Sequence, residues 1–215
     1  FDLSDTVALD AANVASRDGH FGADGRAPER LRAELDKLRH SQRDAIEASV
    51  TAERIGTRNG LPAPEAGPSP AEPPDFEPYR RFYQSKQRQM AAAVPPLRLK
   101  ARGALTDHGP ALARLARIDA VLDNTLTGYA RKGFGAVPGV LEKRFLALWP
   151  DRQHSLLSDA PGDDPQDWMT EGAWLHRFCQ EMKSLLLAEL DARLEPVQGL
   201  LMALESAHNH PQGPQ

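Results

Sequence analysis

One cysteine, Cys179, stands in the whole chain, so an internal disulfide cannot form and the paired thiolates of a structural zinc site are missing. No run of about 18 apolar residues is present, which leaves no segment written as a membrane-spanning helix. Aromatic residues make up only 6% and β-branched residues are few, so the residue types that favour strands are scarce. There is no glycine-rich phosphate loop and no nucleophile elbow. The nearest approach, Gly133-Phe134-Gly135-Ala136-Val137-Pro138, follows no expected strand and reads as a helix kink. His176 with Cys179, and His208 with His210, each offer two ligands without a third. Asp163, Asp164 and Asp167 are expected to cap the last helix and complement its dipole. No metal, cofactor or catalytic residue is therefore expected, and the chain is read as non-enzymatic.

What is present is leucine at helical spacing. Leu175, Cys179, Met182, Leu186, Leu190, Leu194, Val197, Leu201 and Leu204 recur at an average step near the α-helical 3.6. Phe178, Leu185, Leu187 and Leu200 widen the stripe, which predicts burial against more than one neighbouring helix. With Leu, Ala, Arg, Glu and Gln dominating, the expected fold is all-α: an elongated antiparallel helical bundle, coiled-coil-like, with a proline-rich linker after the N-terminal helices.

Reading along the chain, Ser4 caps a short apolar series of Val7, Ala8, Ala11 and Val14. Pro28 opens a second helix that carries Leu31, Leu35, Leu38, Ile46 and Val50 to about Ile55. Its thin apolar face and densely charged flanks predict an outer helix. Residues 1–55 thus form an N-terminal helical region, and 56–75, with six prolines, reads as a mobile linker. A helical bundle is expected over 76–207 and a flexible tail over 208–215. Within the bundle, Pro95-Pro96 should break or kink the helix that starts near Phe76. The series Leu115, Ile118, Leu122, Leu126, Tyr129, Val137, Leu141, Phe145 and Leu148 stays in phase across Gly133, Gly135 and Pro138. That predicts one long, kinked helix over 110–149, with a turn at Gly133 to Gly135 as the alternative. Pro196 should bend the last helix without ending it.

The net charge of −4 hides an uneven distribution. Residues 1–78 carry −6, 79–106 carry +7 with no acidic group, 107–149 carry +2 and 150–215 carry −7. The basic segment is the candidate interaction surface: Arg80, Arg81, Lys86, Arg88, Arg98, Lys100 and Arg102, interleaved with Tyr79, Phe82 and Tyr83. Phosphates and stacked bases want that combination. Acidic ends of the same chain, or an acidic protein partner, want the cations equally. The leading reading is a scaffold or adaptor that binds protein partners, including other copies of itself. The alternative is a nucleic-acid-associated protein acting through 79–106.

Asp75-Phe76-Glu77-Pro78-Tyr79, Pro96-Leu97-Arg98, the run Ala111 to Leu122 and the run Val137 to Phe145, together with Trp174-Leu175 and Leu185 to Val197, resemble an uncharacterised proteobacterial family known as a domain of unknown function. The resemblance covers most of 75–205 and implies an all-helical fold with no catalytic residues to carry over. It also implies a cytoplasmic accessory of an envelope complex, associated with a proton-channel-like inner-membrane protein and a peptidoglycan-binding outer-membrane-type protein. Phe1 is not a start methionine and no charged-then-apolar leader follows it, so the N-terminus is expected to be clipped relative to that family. A single thiol and no apolar span place the expected protein in the cytoplasm.

Overall fold

The computed structural model describes residues 25–69, 72–156 and 164–209, with backbone only for 150–156. The expected Ser4-capped helix, Asp163 and His210 lie outside the described residues. Four α-helices and two short 3-10 helices account for 82% of what is described, with no strand among those residues. The helices are α1 (Ala27–Ser49), α2 (Glu77–Asp107), α3 (Pro110–Leu156) and α4 (Trp174–Asn209). The all-α reading holds.

The stripe on α4 is buried along its whole length. Its nine residues from Leu175 to Leu204 are each 0–2% exposed. Phe178 and Leu200 join them, but Leu185 is 39% exposed and Leu187 is half-buried, so the widening reaches only one flank. Pro196 sits within α4, which continues in phase. The helix starts later than the aspartates: Asp164 accepts from the Gln166 backbone N–H at 2.9 Å and caps the short helix Pro165–Met169 instead.

α2 does not break at its prolines. Pro95 and Pro96 lack the N–H groups that would bond the carbonyls of Ala91 and Ala92. All four residues are exposed, so water can satisfy those carbonyls. On the opposite face Met90, Val94, Leu97, Ala101 and Leu105 are buried, which favours keeping the segment helical. α3 is likewise one helix through Gly133, Gly135 and Pro138. Its apolar series divides, however. Leu141, Phe145 and Leu148 are buried, Leu115, Ile118, Leu122 and Val137 are half-buried, and Leu126 and Tyr129 are 46% and 73% exposed. At about 100° per residue, the buried positions centre on one direction of the helix and Leu115 to Tyr129 on another roughly 120° away.

Contacts gather into two compact units, and every helix contributes to both. The first contains the described parts of 25–40, 91–133 and 191–209. Its core is aliphatic, built from Leu31, Leu35, Leu97, Leu105, Leu194 and Leu201 around Ala101, Ala113 and Ala116. The second comprises 41–90 and 134–190 and centres on rings. Phe145 packs at 5.1–5.5 Å between centroids on Phe76, Tyr79, Trp174 and Phe178. Trp149, Trp168 and Trp174 form an adjoining triangle at 5.4–5.8 Å. These divisions fall inside helices.

α1 contributes buried side chains to both units. Leu31, Leu35 and Ile46 are buried, and Arg32 makes a two-pronged ion pair with Glu205 at 2.7–3.0 Å. The segment expected to be a linker begins with a specific turn. The Gly56 N–H donates to the Leu61 carbonyl at 2.7 Å, and the Leu61 N–H to the Ser49 carbonyl at 2.9 Å, closing a loop that buries Leu61 completely. Gly56 has φ 77°, and a Cβ on Gly60 would lie 1.7 Å from the Arg54 carbonyl oxygen, so both positions require glycine.

Replacing Leu190 by Ala should destabilise the protein by about 2–5 kcal/mol, whereas Leu185 to Ala on the exposed flank should cost under about 0.5 kcal/mol. Urea denaturation followed by far-UV circular dichroism measures both. Equal losses would mean that the two flanks of α4 are packed alike. Gly60→Ala should lower the melting temperature by several degrees, and an unaltered transition would show that the turn can open at no cost.

Candidate interaction surface

The basic segment lies entirely on α2, but its side chains do not form one surface. The three rings are core: Tyr79 is 4%, Phe82 9% and Tyr83 0% exposed. Tyr79 packs edge-on against Phe178 at 5.8 Å, and burial pushes its phenol well above the ordinary range. The Tyr83 hydroxyl donates to Glu189 Oε2 at 3.0 Å, and the Gln87 amide donates to the same oxygen at 2.8 Å and to the Phe134 carbonyl at 2.9 Å. This buried polar knot joins α2, α3 and α4 within the second unit. Of the two readings open to these rings, stacking platform or core, their burial matches the core: aromatic positions at helical spacing on an amphipathic helix face inward, where their area is worth most.

Most of the cations are neutralised by the chain itself. In the second unit Arg80 bonds Glu142 at 2.7 Å and Glu77 at 3.1 Å while lying over the Phe76 ring at 5.3 Å. Lys86 is only 6% exposed and donates to the Ala45 carbonyl at 3.2 Å. Burial, with Arg54 nearby, pushes its pKa down. Arg81 is 68% exposed, with Glu77 at 3.7 Å, and Arg88 is exposed. In the first unit Lys100 meets Glu34 at 2.6 Å across exposed surface, a pair worth little in water.

The strongest electrostatic feature is a quartet in the first unit. Arg98 grips Asp119 with two bonds of 2.6 and 3.0 Å and Asp123 with a third of 2.6 Å. Arg102 bonds Asp119 at 2.6 Å and Asp123 at 2.7 Å. Side-chain exposures of 12–17% for Asp119, Arg98 and Arg102 place the charges partly out of water. Burial by itself raises the Asp119 pKa, but the bonds from Arg98 and Arg102 outweigh it and hold the carboxyl below its usual range. The arrangement follows from the hairpin. α2 ends at Asp107 and α3 starts at Pro110, so an i,i+4 pair of arginines before the turn meets an i,i+4 pair of aspartates at a similar distance after it. That symmetry of opposite charges about Asp107 to Pro110 is a sequence signal that composition by segment conceals. The tryptophan triangle gives no comparable signal, because Trp149, Trp168 and Trp174 sit on three separate elements.

A cleft of about 70 Å³ is lined by residues including Glu65, Tyr79, Trp168 and Leu175. That is below the roughly 300 Å³ at which small-molecule sites begin, whereas a wide, open depression of about 540 Å³ lies over Arg177, Gln180, Glu181, Ser184 and Leu185 on α4. Cys179 is 1% exposed, and burial pushes its thiol up to about 12, so it is not a reactive nucleophile. Among the described residues no group of three or more His, Cys, Asp or Glu side chains could hold a metal ion, and no helix is long and apolar enough to cross a membrane.

The model of the family described as "Protein of unknown function (DUF3348)" matches residues 1–206. No curated protein and no solved structure matches the chain.

Asp119→Asn removes the charge shared by two arginines and should cost about 2–3 kcal/mol near neutral pH. Because the folded-state pKa of Asp119 is depressed, this contribution is complete above the unfolded value of about 3.9 and is lost as pH falls through the folded value. The stability gap between wild type and variant in urea should therefore narrow as pH is lowered from about 5 toward 2. A gap independent of pH would locate the stabilisation in something other than the ionised carboxylate.

Proposed function

The chain belongs to the DUF3348 family, which prescribes no reaction, and from the contacts of its basic segment we propose that it is a non-enzymatic helical scaffold or adaptor. The observation that carries this reading is the internal use of residues 79–106. Five of their seven cations have carbonyl or carboxylate partners within the fold at 3.2 Å or less, and their three rings are buried. A phosphate backbone would have to compete with those partners, and unstacked bases would find no aromatic platform. Helix faces remain for recognition, and they carry exposed large apolar residues such as Leu99, Val140 and Met202. Proteins that recognise helices use such faces.

A cytoplasmic accessory of an envelope complex is the form of this role that the family resemblance implies, and homo-oligomerisation is compatible with it. The nucleic-acid reading now rests on Arg81, Arg88 and Lys100, the exposed cations of the segment.

Fluorescence anisotropy with single-stranded and duplex DNA at about 150 mM salt should give no binding tighter than micromolar, and chemical cross-linking in cells should join the protein to protein partners through contacts that tolerate higher salt. Salt-sensitive binding at micromolar or tighter, abolished in an Arg81→Glu, Arg88→Glu, Lys100→Glu variant of unchanged helicity, would overturn the adaptor reading in favour of nucleic acid.

A further inference from the structure

The cleft beside Tyr79 lies within the second unit, and its wall carries an unsatisfied buried group. The Tyr79 side chain is 4% exposed and packs its ring on Phe145 and Phe178, yet its hydroxyl has no hydrogen-bond partner among the described residues. Buried polar groups are nearly always paired, because an unpaired one carries its full desolvation cost. Burial chiefly, with Cys179 and Glu65 nearby, keeps the phenol protonated. Glu65 lines the same cleft, and no hydrogen bond or ion pair engages it among the described residues. Asp75 is the third polar member: its Oδ1 accepts from the Glu77 N–H at 2.9 Å, and its other oxygen has no partner among these residues.

We propose that this cleft binds the head of a primary alkylammonium ion, held by the Tyr79 hydroxyl and the Glu65 and Asp75 carboxylates. The sign of the ligand follows from what the walls offer. No Arg, Lys or His lines the cleft. The backbone donors at the start of α2 are spent, the Glu77 N–H on Asp75 and the Tyr79 and Arg80 N–H groups on the Phe76 carbonyl at 3.0 Å, while Pro78 has none. An anion would meet two carboxylates and a single hydroxyl donor, whereas an ammonium group, which only donates, finds acceptors in all three side chains. Trp168 adds an aromatic wall, which favours a cation, and Leu175 an aliphatic one for the methylenes beside the charge. Size sets the rest. About 70 Å³ is little more than the share of two water molecules, at roughly 30 Å³ each, so an ammonium and one or two methylenes fit and a whole amino acid does not. The remainder of the ligand must leave past Glu65 and Asp75, which are exposed. A lysine side chain and a free aliphatic amine present the same head. The site is independent of the adaptor reading and stands or falls separately from it.

The test titrates n-butylammonium chloride into the full chain at constant ionic strength and follows tryptophan fluorescence, since Trp168 lines the cleft. A saturable change with a millimolar midpoint is expected, and none with 1-butanol, which has the same length and no charge. Glu65→Gln should weaken binding about fivefold or more. Tyr79→Phe should weaken it similarly without lowering the melting temperature, because the lost hydroxyl strands no partner; a purely structural tyrosine would show the opposite pattern. Nα-acetyl-lysine methylamide and 1,4-diaminobutane then separate the sources: tighter binding of the first assigns the head to a protein lysine, and of the second to a free amine, and either order upholds the site. A response that 1-butanol reproduces, no saturation below about 100 mM, or midpoints indifferent to both substitutions would overturn the proposal.

Discussion

The structure depends on continuous burial of one face of α4. Nine residues from Leu175 to Leu204 lose almost all contact with water, and they do so in both compact units. At about 25 cal/mol per Å² of apolar surface, burial of a stripe of this length is a substantial source of stabilisation. Its phase is kept through Pro196, which is only half-buried, so the helical register is never interrupted. The other helices are positioned by what they lay against it, aliphatic in one unit and aromatic in the other.

Charge works inward in this protein to an unusual degree for a surface-rich helical fold. The segment 79–106 has seven cations and no acid, and read alone it looks like an anion-binding strip. In the fold, Arg98 and Arg102 lock α2 to α3 through Asp119 and Asp123, and Arg80 reaches Glu142 farther along the same pair of helices. Partly desolvated, hydrogen-bonded pairs of this kind specify which faces of two helices meet, a different role from adding net stability. Tyr83, Gln87 and Glu189 do the same work without net cationic charge, where a misregistered helix would strand a buried carboxylate.

These features bear on function through what they leave available. Cys179 is buried, and four of the seven cations of the basic segment are held by carboxylates of the fold. Long helices whose outer faces carry isolated leucines, a valine and a methionine offer shape and apolar area, which is the currency of protein recognition. Leu126 and Tyr129 on α3 add to them.

Helical class, the α4 stripe, the continuity of α3 and α4 across proline, and the turn between α2 and α3 were legible in the sequence. Each rests on local periodicity or on backbone chemistry that acts within a few residues. Which apolar face is buried was not legible where two such faces exist on one helix: the series from Leu115 to Leu148 keeps a helical step while drifting from an open face to a closed one. Nor was the fate of the basic segment, because a cation's partner is fixed by the helix that packs beside it and not by its neighbours in sequence. Pro95 and Pro96 are tolerated for the same reason, since solvent on one face and burial on the other decide whether a helix survives a lost hydrogen bond. Local spacing determined the elements; only tertiary packing decided which faces and charges remain free to act.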